Sequence, residues 1–313
     1  MDATTGLLGR DRELARARQT LDKGANLLIQ GRAGIGKSAL LRELFSTLPA
    51  ERIRIWVPEG SAKEQAYELA RQAHAQIGLA DSDALPGRVA GTPVRDLPWG
   101  RIRRAVRRMP ARECVALVAT TLETVQPPPV VFFESLELPP SQAEQFAAVL
   151  EVAQVAAAMD DTNRRVRIRR LLWRFPERER IELRPLPGAA TEAITRSWLE
   201  AHPIAFEDDT VRDAFIRAVR QDSGGMPAAI QGMLEQARSE PQVTRRQVRA
   251  FRHDAGIRYI DMTPVVVIGI GAAIAFRYIA RGIDSTEIYV LAGTAIGLAV
   301  VLRYFVMPMA GRP

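Results

Sequence analysis

Residues 31–38 read Gly-Arg-Ala-Gly-Ile-Gly-Lys-Ser. They follow a short apolar run, Asn26–Gln30 (NLLIQ), and lead into ALLRELFSTL, whose apolar residues recur at helical spacing. A strand that turns through such a segment into a helix leaves the fold little choice. Glycines at 31, 34 and 36 let the backbone curl until successive N–H groups face one point, and the following helix aims its positive dipole end at the same place. Phosphate oxygens fit that cradle. Lys37 is placed to reach the β and γ phosphates as a point charge, and Ser38 to offer its hydroxyl to Mg²⁺. The residues expected to line a bound ATP or ADP are therefore Gly31, Arg32, Ala33, Gly34, Ile35, Gly36, Lys37, Ser38 and Ala39.

A site of this kind also needs an acid on the metal side, carried at the end of a neighbouring strand. Glu134 closes VVFF, four apolar residues that follow the triple proline Pro127–Pro129. It is the expected partner of Ser38 at the metal, with Glu137 three residues on as the competing acid. Around these points the chain alternates. Strands are expected at Arg52–Val57, Val130–Glu134, Val152–Met159 and Arg180–Leu183. Helices are expected over residues capped by Asp11 and running to Leu21, and over Ala62–Ile77, Trp99–Arg108, Ala111–Val125 and Ser141–Leu150. Residues 78–98, rich in Gly, Pro and Asp, read as an irregular insertion. Such alternation implies a mostly parallel sheet covered on both faces. After Pro185 the strand signals stop, and Thr191–Ala201, Asp208–Gln221 and Met226–Ser239 read as three helices of a small second domain.

Composition narrows the remainder. One cysteine, Cys114, and three histidines give neither a disulfide framework nor a His/Cys metal cluster. The net charge of +7 comes from 43 basic residues, nearly all arginine, and permits attraction to anionic lipid or nucleic acid without establishing either. No regular interleaving of aromatic and basic residues favours nucleic acid. The mean hydropathy of −0.07 hides an apolar tail. Met262–Phe276 and Ile288–Leu302 are uncharged, and each is extended past one arginine, Arg277 or Arg303, that can snorkel to an interface. They predict a transmembrane hairpin over 262–310. Arg245, Arg246, Arg249, Arg252 and Arg258 precede the first span, against Arg281 alone in the short connection. That asymmetry puts both termini on the cytosolic side of the inner membrane. The N-terminus lacks the apolar core of a signal peptide, which agrees with a cytosolic start. A buried soluble hairpin is the competing reading. The expected divisions are 1–184 for the nucleotide-binding α/β domain, 185–240 for a helical lid, 241–261 for a basic juxtamembrane linker and 262–310 for the hairpin.

Several segments together resemble AAA+ ATPases related to origin-recognition and STAND proteins. These are Gly9-Arg10-Asp11-Arg12-Glu13-Leu14 ahead of the P-loop, VVFFESLE where Walker B stands, and VAQVAAAMDDTN where a sensor-1 strand stands. LLWRFPERERIELRPLP then resembles the run that closes the core, and SGGMPAAIQGMLEQA the entry to a sensor-2 helix. The resemblance covers about residues 6–238. It implies a five-stranded parallel core, a helical lid, nucleotide at their junction, packing of the Gly9-Arg10 segment near the adenine, and a homo-oligomer. It also offers Arg174, in Trp-Arg-Phe, as an arginine finger for a neighbouring copy, where an ordinary surface arginine is the alternative. Asp161 and Asn163 are both candidates for sensor 1. Two departures stand out. Glu134 is followed by Ser135 where a second acid usually orients water, and Ala228 stands where an arginine often follows the lid's proline.

The first functional reading is a membrane-anchored ATP-binding protein whose nucleotide state controls assembly with itself or an unknown client, with slow hydrolysis. A nucleotide-gated effector whose clustered hairpins permeabilise the bilayer is the second; Gly293 and Gly297 support helix association in both. A membrane-tethered DNA-binding P-loop protein is the third.

Overall fold

The computed structural model describes residues 9–82, 85, 92–136, 139–160 and 172–248. Five strands form one sheet: β1 (Leu27–Gly31), β2 (Arg54–Val57), β3 (Val130–Phe133), β4 (Gln154–Asp160) and β5 (Arg180–Glu182), in the order β2-β3-β4-β1-β5. Every pairing is parallel. Helix α1 (Asp11–Asp22) precedes the sheet; parallel neighbours need crossovers, and the sequence supplies them as α2 (Lys37–Thr47), α3 (Ala62–Gln76), α4 (Trp99–Arg108) and α5 (Ala111–Glu123), then two short turns, α6 (Pro140–Ala143) and α7 (Val149–Val152). The period of two along each strand sorts side chains onto two faces. Leu28, Val131, Phe133, Val155 and Ala157 join one core with α3 and α5. Leu27, Ile29, Val130, Phe132 and Ala156 join a second with α1 and α2. Burial on both faces explains why these strands read as continuous apolar runs instead of alternating ones.

A third core belongs to the lid, formed by α8 (Gly188–Ala201), α9 (Asp209–Asp222) and α10 (Pro227–Ser239). Asp208 caps α9 by accepting the Val211 N–H (2.8 Å), and the hydrogen bonds from Thr210 and Val211 hold its carboxyl below the usual range. The lid does not stop at 240. Val243 and Val248 are buried in its core, and Val243 bridges to Phe206 in parallel, so the start of the expected linker packs with the lid. Residues 1–256 form one compact unit, and among the described residues it holds three hydrophobic cores; it is expected to fold independently of residues 257–313.

Three local expectations change. Arg10, not Asp11, is the N-cap residue of α1, and Asp11 sits in its first turn, where its charge still favours the helix dipole. The helix expected over Ser141–Leu150 is broken by a tighter turn at Glu144–Ala148, which sends Phe146 edge-on into Phe133 at 5.4 Å. The described ends of the 78–98 insertion are tied into the core: Asp81 accepts the Val94 N–H at 2.8 Å, and Leu79, Leu85, Val94 and Leu97 are buried. Among the described residues no helix is long and apolar enough to cross a membrane. The expected hairpin over 262–310 lies outside the described residues.

Cys114 is buried, its thiol donating weakly to the Ala66 carbonyl (3.3 Å) and pushed up to about 12 by burial, so it stays protonated and packs as a small apolar residue. Phe132 is fully buried and packs edge-on against Phe45 (5.4 Å) beneath β3. Phe132→Ala is expected to lower stability by about 3–5 kcal/mol. Urea unfolding of residues 1–256 checks this, and a loss well under 1 kcal/mol would contradict the packing described.

Candidate functional site

The loop 31–36 leaves the C-terminal end of β1 and delivers the chain into α2. Its glycines take backbone angles that other residues rarely adopt, with φ of +75° at Gly34 and +100° at Gly36. Ile35 is the loop's anchor: it is fully buried in the α1–α2 core, while Arg32, Ala33 and Gly34 are exposed. Its N–H donates to the Arg32 carbonyl at 3.2 Å. Helix α2 starts without a side-chain cap and without an acid in its first turn, and Lys37 and Ser38 are its first two residues. An uncapped, acid-free helix start facing a glycine loop is the arrangement that an anion fits.

Arg10 packs against the loop. It is 4% exposed, and its guanidinium donates to the Ile35 carbonyl (3.1 Å) and to Glu13 (3.1 Å). Through the Ile35 carbonyl it braces the loop. Gly9 likewise serves packing: a Cβ there would lie 2.6 Å from the Ala190 Cβ of α8. The same device recurs across the loop. A Cβ on Gly34 would lie 2.8 Å from the Ala228 Cβ of α10, and the Ala228 N–H donates to the Gly34 carbonyl at 3.1 Å. Ala228, the departure from the arginine seen in related lids, thus rests its methyl on the P-loop itself. Gly225 makes that approach possible, because with φ of +73° it passes so close to Leu186 that a Cβ would sit 2.3 Å from its carbonyl oxygen.

Lys37 turns its ammonium onto the carbonyls of Gly31 (2.9 Å) and Arg32 (3.0 Å) and onto the Asp160 carboxylate. Asp160 was missed by sequence reasoning, which looked one and three residues later, to Asp161 and Asn163; both lie outside the described residues. The register explains the contact: β4 runs to Asp160, which pairs with Gly31 where β1 gives way to the loop. Only pairing of β4 against β1 reveals this, since the two are far apart in sequence.

Glu134 follows β3 as expected, with its N–H bonded to the Val57 carbonyl at 2.9 Å. Its mostly buried carboxylate accepts from Arg42 of α2 at 2.5 Å, a partner that the sequence did not suggest. Ser135 is held from behind by Gln65, whose side-chain amide donates to its carbonyl at 2.8 Å. Glu137 lies outside the described residues. Among those described, no cluster of three His, Cys, Asp or Glu side chains could hold a metal alone. The donors present, the Ser38 hydroxyl with carboxylates at the ends of β3 and β4, are hard oxygens of the sort Mg²⁺ takes when phosphates and water complete its shell. The residues fit Mg-nucleotide.

The structure does not bring Arg174 to this loop. Its backbone carbonyl accepts from Asn26, just before β1, so it lies toward the starting ends of the strands, opposite the P-loop. Its guanidinium pairs with Glu151 and lies 4.6 Å from the centre of the Trp173 ring. Arg174 therefore takes no part in its own chain's site, which leaves only the role toward another copy or an ordinary surface pair.

Known proteins share this plan. Residues 6–172 match the family described as the AAA ATPase domain. Among solved structures, Cdc6p from Pyrobaculum aerophilum superposes with a TM-score of 0.51 at 12% identity, covering 97% of this chain and 90% of that one. The ORC1 protein of Aeropyrum pernix, solved in complex with DNA, gives 0.44 at 16% identity over 91% and 76%. At such identities the first likeness is one of fold alone. None of the curated proteins matches the sequence.

Two substitutions read the site. Lys37→Ala is expected to abolish most nucleotide binding, because the phosphates lose their cation. Asp160→Asn removes a negative charge from beside that cation and is expected to tighten metal-free nucleotide about fivefold, the size of about 1 kcal/mol of repulsion at 4 Å in a water-like medium. Calorimetry with and without Mg²⁺ checks both. Weaker binding of Asp160→Asn confined to the Mg²⁺ series would place that carboxylate on the metal instead, and unchanged binding in Lys37→Ala would overturn the assignment of the loop.

Proposed function

The chain belongs to the AAA ATPase domain family, and we propose that it is a membrane-anchored nucleotide switch in which Mg-ATP or ADP at the P-loop sets the position of the lid, and with it assembly with further copies or a protein client. The observation that carries this reading is the direct seating of the lid on the phosphate loop, through Ala228 on Gly34, with Ala190 packed on Gly9 of the segment that precedes α1. A group that binds the loop shifts the lid by as much as its differential affinity for the two lid positions allows, and no more. Bound nucleotide would supply the anionic phosphates and the γ-phosphoryl group available for transfer to water. The protein's part is to hold those phosphates on the N–H groups of residues 34–39, neutralise them with Lys37, and hold Mg²⁺ through Ser38 with Glu134 behind it.

Hydrolysis is expected to be slow. Ser135 cannot replace the carboxylate that usually positions the attacking water, a contribution typically worth about 10²–10⁴ in rate. Arg174 would serve only a neighbouring copy. The membrane part of the proposal rests on the two apolar runs of 262–310 and on the arginine asymmetry around them. Under it both termini face the cytosol and the hairpin acts as an anchor, since its spans carry few polar groups to line a pore.

Single-turnover hydrolysis tests the chemical half. Wild type should turn over slowly, and Ser135→Glu should raise the rate by one to two orders of magnitude if the rest of the site is complete; fast wild-type turnover lost in Glu137→Gln would show that the acids are misassigned.

Carbonate extraction tests the membrane half. The full chain should stay with the membrane while residues 1–256 are released, with reporter fusions after residue 284 reading external and fusions at 313 cytosolic. Release of the full chain would favour the buried hairpin.

A further inference from the structure

Helix α4 (Trp99–Arg108, WGRIRRAVRR) carries five arginines in ten residues and no acid. At 3.6 residues per turn, Arg101, Arg103, Arg104, Arg107 and Arg108 cover an arc of about 160° along about 10 Å of axis. The opposite seam belongs to the core: Ile102 and Val106 are buried, and Trp99 is half-buried against Tyr67 (5.6 Å between ring centres) and His74 (5.7 Å). All five arginines are exposed, as is Arg112 in the first turn of α5.

What sets this face apart is the density of its arginines on a helix that carries no acid. Some exposed arginines elsewhere meet acids, as Arg71 does Glu68 and Arg220 does Glu192; others that form no ion pair among the described residues, such as Arg196 and Arg212, stand on helices that carry acids as well. The guanidinium groups of Arg101, Arg103, Arg104, Arg107, Arg108 and Arg112 form no hydrogen bond or ion pair among the described residues. Several of them stand three or four apart on one helix, as do Arg101 with Arg104 and Arg104 with Arg108, an arrangement that weakens a helix through like-charge repulsion. A helix arranged against its own stability in this way gains from an anion brought from outside.

We propose that this arginine face docks the domain onto an anionic phospholipid leaflet. Lipid is favoured over nucleic acid by what the face lacks. No Asn or Gln stands among the arginines to pair with adenine, and the one aromatic, Trp99, is committed to Tyr67 and His74 and does not offer a stacking platform for unpaired bases. Phosphate recognition remains, and a leaflet presents phosphates as a surface. The proposal rests on the membrane reading above for its biological setting, because an anchor at 262–310 would hold the domain within reach of a leaflet; the attraction itself needs only α4. Docking by α4 would give the nucleotide domain a fixed orientation at the bilayer, which an anchor alone does not supply.

The test uses residues 1–256, which lack the apolar runs, so its result is independent of the anchor, whose own failure is read from carbonate extraction of the full chain. Cosedimentation is measured with vesicles of phosphatidylcholine alone and with 30% phosphatidylglycerol, for wild type, for the triple variant Arg101→Gln/Arg104→Gln/Arg108→Gln, and for a lid variant of equal charge loss, Arg196→Gln/Arg212→Gln/Arg217→Gln. A thermal melt of each confirms folding. Wild type should bind the anionic vesicles and not the neutral ones. The α4 variant should bind about a hundredfold more weakly, about fivefold per arginine removed, and the lid variant should bind nearly as wild type does. Equal loss in both variants, binding retained by the α4 variant, or no vesicle binding by wild type would overturn the proposal. Binding of duplex DNA through α4 in the absence of vesicle binding would overturn it in favour of nucleic acid.

Discussion

A loop that presents its backbone N–H groups to an anion has no room for side chains between itself and whatever covers it. That constraint reaches well beyond residues 31–38. It requires the positive φ of Gly34 and Gly36, the small residue Ala228 where α10 begins, and the close passage of Gly225 under Leu186. A second contact of the same type, Gly9 on Ala190, joins the segment before α1 to the lid. Small residues thus allow the lid to lie close on the loop, and the lid meets it through a hydrogen bond from Ala228 N–H to the Gly34 carbonyl.

Electrostatics follow from the same arrangement. An ammonium at the head of α2 sits at the positive end of a helix dipole, where a cation is disfavoured. Lys37 is compensated by two carbonyls of its own loop and by Asp160, which the sheet delivers because β4 neighbours β1. Glu134 is balanced separately by Arg42. The two carboxylates at the strand ends therefore have distinct partners, one on the phosphate-binding cation and one on α2, and only Glu134 occupies the position expected of a metal-side acid. Ser135 stands directly after Glu134, with its carbonyl held by Gln65.

Much of the architecture was legible because buried parallel strands write themselves as apolar runs. VVFF at β3, LLI in β1 and the alternation of strands with helical spacing gave the element order, and Trp99–Arg108 matched its expected bounds. Misplacements arose where tertiary contacts overrule local pattern. The break in the helix before β4 exists because Phe146 has to reach Phe133. The ends of the insertion after Gly78 are ordered because Leu79, Leu85, Val94 and Leu97 find the α3–α5 core. The lid continues to Val248 because Val243 pairs with Phe206, a contact between segments with no local signal of their own.

The sequence by itself determined the phosphate cradle, its lysine and serine, the acid at the end of β3 and the parallel α/β plan, because each depends on residues adjacent in the chain or on the period of an apolar run. It also carried the two apolar runs of the tail and the arginine density of α4. Tertiary structure decided what surrounds those groups: that Arg10 braces the loop through the Ile35 carbonyl, that Asp160 and not a later residue meets Lys37, that Arg42 takes Glu134, and that Arg174 lies at the far end of the strands. These are pairings between residues from 25 to 123 positions apart or placements set by strand order. Strand order is fixed by how two buried faces are shared among helices, a property of the whole sheet that no local pattern contains.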